Sequence, residues 1–155
     1  MPHIHELIDF VVTVFIVSPD TQKVLLAEHP RYNKWLPIGG HIELEDDADT
    51  TLLKEVKEEC GLEIEVLSDK PDFTEPGVKP LWTPAYVEIH EANPPHKHHA
   101  FIYFAVAHSE SFTKSAEHTS LKWFTLEELR DPAYKLSPGI IFYAEKALEK
   151  AKHSS

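Results

Sequence analysis

The segment Gly39–Leu62, GGHIELEDDADTTLLKEVKEECGL, constrains this chain more than any other. Two glycines lead into an acidic loop and then into a helix carrying Glu55, Glu58 and Glu59. Those three fall at i, i+3 and i+4, so they share an arc of roughly 100° on one helix face. Like charges this close repel, which is unfavourable unless a cation sits among them. Hard divalent cations such as Mg²⁺ (or Mn²⁺) take oxygen ligands of this kind. The segment therefore reads as a metal site on a helix.

The rest of the composition fits that reading. The chain has 155 residues, 42% hydrophobic and 26% charged, which predicts one globular domain over residues 1–155 with a single core. Its net charge is −11 and no Lys/Arg cluster appears, so nucleic acid is not an expected partner. An acidic protein that handles phosphates needs a bound cation to reverse the local field. Cys60 is the single cysteine, which excludes an intrachain disulfide and fits a cytoplasmic location. The apolar run Phe10–Val17 is too short to span a bilayer and follows acidic residues, so it reads as a buried strand and no membrane is expected.

Alternation and punctuation give the remaining elements. Ile8–Ser18 predicts a central strand, Pro19-Asp20 a turn, and Lys23–Glu28 the second strand of a hairpin. Pro30–Lys34 reads as a loop, and Trp35–Ile38 as an extended piece ending at Gly39-Gly40, with His41–Glu43 a further short strand. The helix is expected over about Asp47–Cys60, with Ala48, Leu52, Leu53, Val56 and Cys60 on its buried side and Gly61 as its terminator. Strands are expected at Leu62–Leu67, Ala85–Glu91, Ala100–Ala107 and Leu121–Phe124. The proline-rich stretch Asp69–Pro84 is a long loop, and Ala92–His99 joins two strands. Thr125-Leu-Glu-Glu128 is a capping box, and Ser137-Pro138 opens a final amphipathic helix.

The stretch Gly40–Leu62 closely resembles the Nudix box, the signature of the Nudix hydrolase superfamily, written G-x5-E-x7-R-E-U-x-E-E-x-G-U with U a bulky apolar residue. Gly40, Glu55, Val56, Glu58, Glu59, Gly61 and Leu62 match it. Asp46 stands where the box has Glu, and Lys54 where it has Arg. The lead Trp35–Glu43 and the junction Leu121–Leu129 are also similar to the family's. The resemblance implies an α/β fold, an α/β/α sandwich around a mixed, partly curled sheet. It implies divalent-metal-dependent hydrolysis of a pyrophosphate in a nucleoside diphosphate linked to another group. Nucleoside triphosphates, nucleotide sugars such as ADP-ribose and dinucleoside polyphosphates are the candidate substrates. Glu58 and Glu59 would then ligate the metal, Glu55 would serve as ligand or base, and the Gly39 carbonyl would add a backbone ligand. Lys54 and Asp46 would orient the glutamates, with Lys a more mobile partner than Arg.

Other residues are weaker candidates for substrate contact. His96-Lys-His98-His99 contains a His-x-His that can bind metal, so His96 or His98 is expected either to touch substrate or to lie on a surface loop. Glu91 is a candidate supplementary ligand. Trp82 offers an indole that could stack on a base, against the alternative of packing. Two other readings compete with a hydrolase: a non-catalytic Nudix-fold module that binds a nucleotide or partner, and a zinc protein built on the histidines. Related folds often dimerise, so a homodimer is an expected assembly.

Overall fold

Residues 7–30, 32–113 and 120–154 are described by the computed structural model. The apolar run near the N-terminus becomes strand β1 (Ile8–Val17). Its alternate side chains feed two cores. Val12, Val14 and Ile16 enter one cluster, while Val11, Phe15 and Val17 enter the other. Burial on both faces is why the run is continuously apolar from Val14 onward, with no polar alternation.

Around β1 an eight-stranded mixed sheet is assembled. Strand β2 (Lys23–His29) turns back antiparallel to β1, and β3 (Lys34–Leu36) pairs with β2. Strand β4 (Ile38–His41) returns to β1 and pairs with Val11–Val14. Beyond the first helix come β5 (Ile64–Val66), β6 (Tyr86–Glu91), β7 (Lys97–Ala107) and β8 (Ser120–Thr125). β7 lies parallel to β1 along its whole length, β5 and β6 flank β7, and β8 pairs with β2.

Helices cover both faces. Helix α1 (Ala48–Glu59) packs through Ala48, Leu52 and Val56 on the cluster that holds Val12, Val14, Ile16, Tyr103 and Ala105. Leu52 is fully buried, worth about 1.5–3 kcal/mol of apolar transfer. Helix α3 (Pro138–Lys152) packs on the opposite cluster through Ala144, Ala147, Leu148 and Ala151. The short α2 (Leu126–Leu129) and a single 3₁₀ turn at Pro132–Tyr134 precede it. Asp47, Thr125 and Ser137 cap the three α-helices of the described residues, the first two with reciprocal capping boxes. Among the described residues no helix is long and apolar enough to cross a membrane.

One topological detail creates the site. β1 changes partner along its length: Ile16 and Val17 pair with β2, whereas Val11–Val14 pair with β4. The sheet therefore forks on that side of β1, and a cleft opens between the β2–β3 branch and β4.

Several sequence expectations need correction. Gly39 and Gly40 do not end an extended piece. They lie inside β4, opposite Thr13 and Val12. A Cβ at Gly39 would run into the Val12 carbonyl oxygen, so close approach rather than a turn explains this glycine. Leu53 is 47% exposed, and Thr51 takes a buried place beside Leu52 instead. The residue after Leu52 is rotated about 100° away from the core stripe. The strand expected at Leu62–Leu67 is confined to β5. β7 begins at Lys97 rather than Ala100, because β1 extends far enough to pair with it from Ile8 onward. The expected histidine loop is thus largely strand. Gly61 does terminate α1, at φ +67°, and its N–H joins that of Cys60 in donating to the Val56 carbonyl. Trp123 is half-buried, with its Nε1 donating to the Glu110 carbonyl. Of the expected 30–34 loop, Arg31 lies outside the described residues, as do the two ends of the chain.

Candidate active site

The cleft at the fork has a volume of about 580 Å³. Its walls come from opposite sides of the fork. Gly39, Gly40 and Glu59 stand on one side, His29, Lys34 and Leu36 on another, and Tyr143 closes the cleft from α3.

Helix α1 presents its acidic face at this edge. Asp47 fixes where the helix starts, so it also fixes the phase at which Glu55, Glu58 and Glu59 emerge. Glu59 is half-buried, and its Oε2 accepts from the Gly39 N–H at 3.1 Å. Glu55 lies over Gly40. A Cβ on Gly40 would stand 2.6 Å from Glu55 Oε1, so the space it leaves is filled by that carboxylate. Glu58 is exposed. The two residues that depart from the box pattern meet each other: Lys54 Nζ lies 3.7 Å from Asp46 Oδ2. The shorter Asp therefore does not lose its partner. The pair bridges the helix and the acidic loop, and Lys54 is half-exposed there.

This donor set suits a hard divalent cation. The carboxylates of Glu55 and Glu59 are gathered over two glycines, Gly39 with no room for a Cβ beside the Val12 backbone and Gly40 with room only if Glu55 shifts, and Glu58 shares their helix face. Oxygen donors at that density match Mg²⁺ or Mn²⁺.

The other wall is histidine-rich. His29, His41, His90 and His98 line the cleft together with Glu88 and Glu91. Glu88 is held from two sides, by the Tyr143 hydroxyl at Oε1 and by His90 Nδ1 at Oε2, 2.7 Å away. Burial first, then the hydrogen bond to Glu88, pushes the Tyr143 hydroxyl up to about 12, so it stays a donor at neutral pH. His98 is shifted down, chiefly by burial and then by the charges of His41 and His90, which favours its neutral imidazole.

The sequence candidates fall into distinct places. Gly39, Glu59, Glu91 and His98 line the cleft, and Glu55 lies at its edge over Gly40. His96 is exposed and stands outside the lining. Trp82 also lies elsewhere. Its backbone N–H donates to the Asp49 carboxylate at 3.2 Å, and Lys70 Nζ sits 4.2 Å from its ring centroid. Asp49 is 3% exposed and takes Lys70 as well, at 3.2 Å. Trp82 is therefore part of the anchor that ties the proline-rich loop to the first turn of α1.

The sequence profile of the NUDIX domain matches residues 9–143. The chain belongs to the Nudix family. A Nudix family hydrolase from Clostridium perfringens superposes with a TM-score of 0.77 at 31% identity, over 91% of this chain and 96% of that one. A protein from Jonesia denitrificans, described as a possible asymmetric diadenosine tetraphosphate hydrolase, shares the fold at a TM-score of 0.68 and 15% identity, over 97% of this chain and 99% of that one. An m7GpppN-mRNA hydrolase from Xenopus laevis is 29% identical over 107 residues, 66% of this chain. The chain spans about a third of that relative's length, 34%.

Within this Nudix fold, sequence reasoning missed His29, Lys34, His41, Glu88, His90 and Tyr143 as cleft residues. Two signals were available. Glu88-x-His90 and His98-x-Ala100-x-Ile102 alternate with period two, which marks strand faces rather than loops. His41 directly follows the glycine pair. What no pattern in the sequence shows is that these strands meet at one end of the sheet.

Proposed function

We propose that this Nudix protein is a divalent-metal-dependent pyrophosphohydrolase acting on a small nucleotide substrate. The observation that carries the reading is the gathering of Glu55 and Glu59 over Gly39-Gly40 at the wall of an open cleft. In this reading Glu55, Glu58 and Glu59, with the Gly39 carbonyl, hold Mg²⁺ or Mn²⁺. The bound cation would neutralise charge on the phosphate oxygens and make the attacking water more acidic.

The chain's own groups do the rest. The Gly39 N–H holds one oxygen of Glu59 and so orients that carboxylate. Glu55, over Gly40, would serve as a further ligand or as the base that accepts a proton from the attacking water. Lys54 and Asp46 hold the acidic loop against the helix, which keeps the glutamate face in register with the cleft. Lys34 supplies a positive charge across the cleft for the second phosphate. His98 and Glu91 also line the cleft and would face the group beyond the pyrophosphate.

Relatives named for cap and diadenosine tetraphosphate hydrolysis support a substrate in which a nucleotide is joined to another group through phosphates. The test is a panel of nucleoside triphosphates, nucleotide sugars and dinucleoside polyphosphates, with and without Mg²⁺. Metal-dependent release of a nucleoside monophosphate, lost in Glu58→Gln or Glu59→Gln, is expected. No turnover on any of these, with ligand-induced thermal stabilisation instead, would favour a nucleotide-binding module.

A further inference from the structure

We propose that Asp9, His41 and His98 form a second metal site, one for a zinc-class divalent ion, separate from the glutamate face of α1. The sheet register builds it. Asp9 of β1 is the direct partner of His98 on β7, and His41 of β4 is the partner of Val11, two residues along β1 from Asp9. Side chains two apart share a face, so residues from three strands converge on one side of the sheet. One donor atom from each of the three lies within 4.8 Å of the others. His41 Nε2 is 3.9 Å from Asp9 Oδ2, and the His41 and His98 rings meet edge to face at 5.0 Å.

The donor chemistry selects the ion. Bonds of about 2.0–2.2 Å to tetrahedral Zn²⁺ put neighbouring donors roughly 3.3–3.5 Å apart. The group must therefore close by about an ångström, and the exposed side chains of Asp9 and His41 have room to rotate. Two imidazoles and one carboxylate suit Zn²⁺ or Co²⁺, whereas Mg²⁺ prefers oxygen and retains its waters. Three protein ligands leave a fourth position, and His41 and His98 both line the cleft. Water or an anionic substrate oxygen would complete the set from that side. His90 flanks the site, with its ring 5.3 Å from His98, but its Nδ1 is engaged by Glu88.

The site is tested by titrating the metal-free full chain with Co²⁺ and following visible absorption. A four-coordinate nitrogen-containing site absorbs strongly, while Co²⁺ held octahedrally by glutamates and water absorbs weakly. One equivalent should give the strong band, equimolar Zn²⁺ should remove it, and a large excess of Mg²⁺ should not. His41→Ala and His98→Ala should each weaken Zn²⁺ binding by about tenfold or more, while His96→Ala, Glu58→Gln and Glu59→Gln keep the band. Absence of the band, its survival in His41→Ala, or its loss in Glu59→Gln overturns the proposal. Circular dichroism of each variant confirms folding, and His41, being exposed, decides the matter if His98→Ala unfolds.

Discussion

The two walls of the cleft are built in opposite ways. The acidic wall comes from one helix, where Glu59 lines the cleft and Glu55 and Glu58 are its neighbours on the same face because of local 3.6-residue geometry. The histidine wall comes from β2, β4, β6 and β7, whose histidines belong to two separate stretches of the chain, His29 and His41 in one and His90 and His98 in the other. A helix face is decided by spacing alone, whereas a sheet face is decided by which strands pair and in what register. The first wall can thus be rebuilt or destroyed by one local change. The second depends on the whole topology, so no single local change creates it.

That contrast predicts where the largest effect lies. Glu59→Gln keeps the shape but removes the charge of a metal-holding carboxylate, and turnover should fall by about 10²-fold or more as the cation is held less tightly. A rate within tenfold of wild type for both Glu58→Gln and Glu59→Gln would move the chemistry to the histidine wall. Gly40→Ala comes next. The new Cβ meets the far end of Glu55, a flexible side chain, so the strand should survive while the carboxylate is displaced. Misplacement of about 1 Å costs up to ~10²-fold. Unchanged melting with turnover reduced about tenfold or more is expected. Gly39→Ala should behave differently, because its obstacle is the Val12 backbone, and there melting should fall as well.

The same contrast explains what the sequence made readable. Helix α1, its caps and its glutamate face rest on contacts between residues a few places apart, and these could be read directly. The position of β1 was also readable, because burial on both faces leaves a continuous apolar run. The glycine pair was misplaced because its reason is the close approach of α1 and β1, which only the assembled sheet supplies. The histidines after Pro95 looked like loop because their pairing partner, the start of β1, carries Asp9 and a half-exposed Phe10 rather than a core pattern. Trp82 shows the converse. Proline-rich surroundings left an exposed indole and a packed one both open, and Asp49, buried in the first turn of α1, decides for packing by capturing its backbone.

That capture gives the next prediction, one of stability rather than chemistry. Asp49→Ala leaves the Trp82 N–H and Lys70 without their acceptor and should cost about 1–3 kcal/mol in chemical denaturation. Its effect on the acidic wall should be small next to that of Glu59→Gln, since the glutamates lie roughly two to three turns further along α1. A smaller effect is expected at the distant α2 cap. Glu128 is held down at about 2, first by Lys122 and then by the Thr125 N–H, from an ordinary value of 4.5. A depressed carboxylate stabilises the fold above its unfolded value and loses that contribution as the pH falls through its folded value. Glu128→Gln should therefore destabilise by up to about 1 kcal/mol at pH 7, the scale of a partly exposed ion pair. The gap between variant and wild type should close between about pH 4.5 and pH 2 in thermal melts. A gap that persists at pH 2 would mean that shape rather than charge makes the cap.

The smallest effect belongs to Lys54, where the two views of the acidic wall diverge most sharply. By its place in the Nudix box Lys54 sits where an arginine is expected to hold a catalytic glutamate, so its loss should be severe. By its geometry it is a half-exposed partner of Asp46 at 3.7 Å, and an exposed pair of this kind contributes roughly 0–1 kcal/mol. That energy corresponds to less than about a fivefold change in rate. Lys54→Ala should accordingly lower turnover less than about fivefold, and Asp46→Ala should do the same, with no further loss in the double variant because both remove one contact. Lys54→Arg should restore or slightly raise the rate, since a planar fork holds a carboxylate more firmly than a mobile ammonium. A loss of 10²-fold in Lys54→Ala that Asp46→Ala does not share would show that Lys54 leaves Asp46 during turnover and acts on Glu55 or on the phosphates.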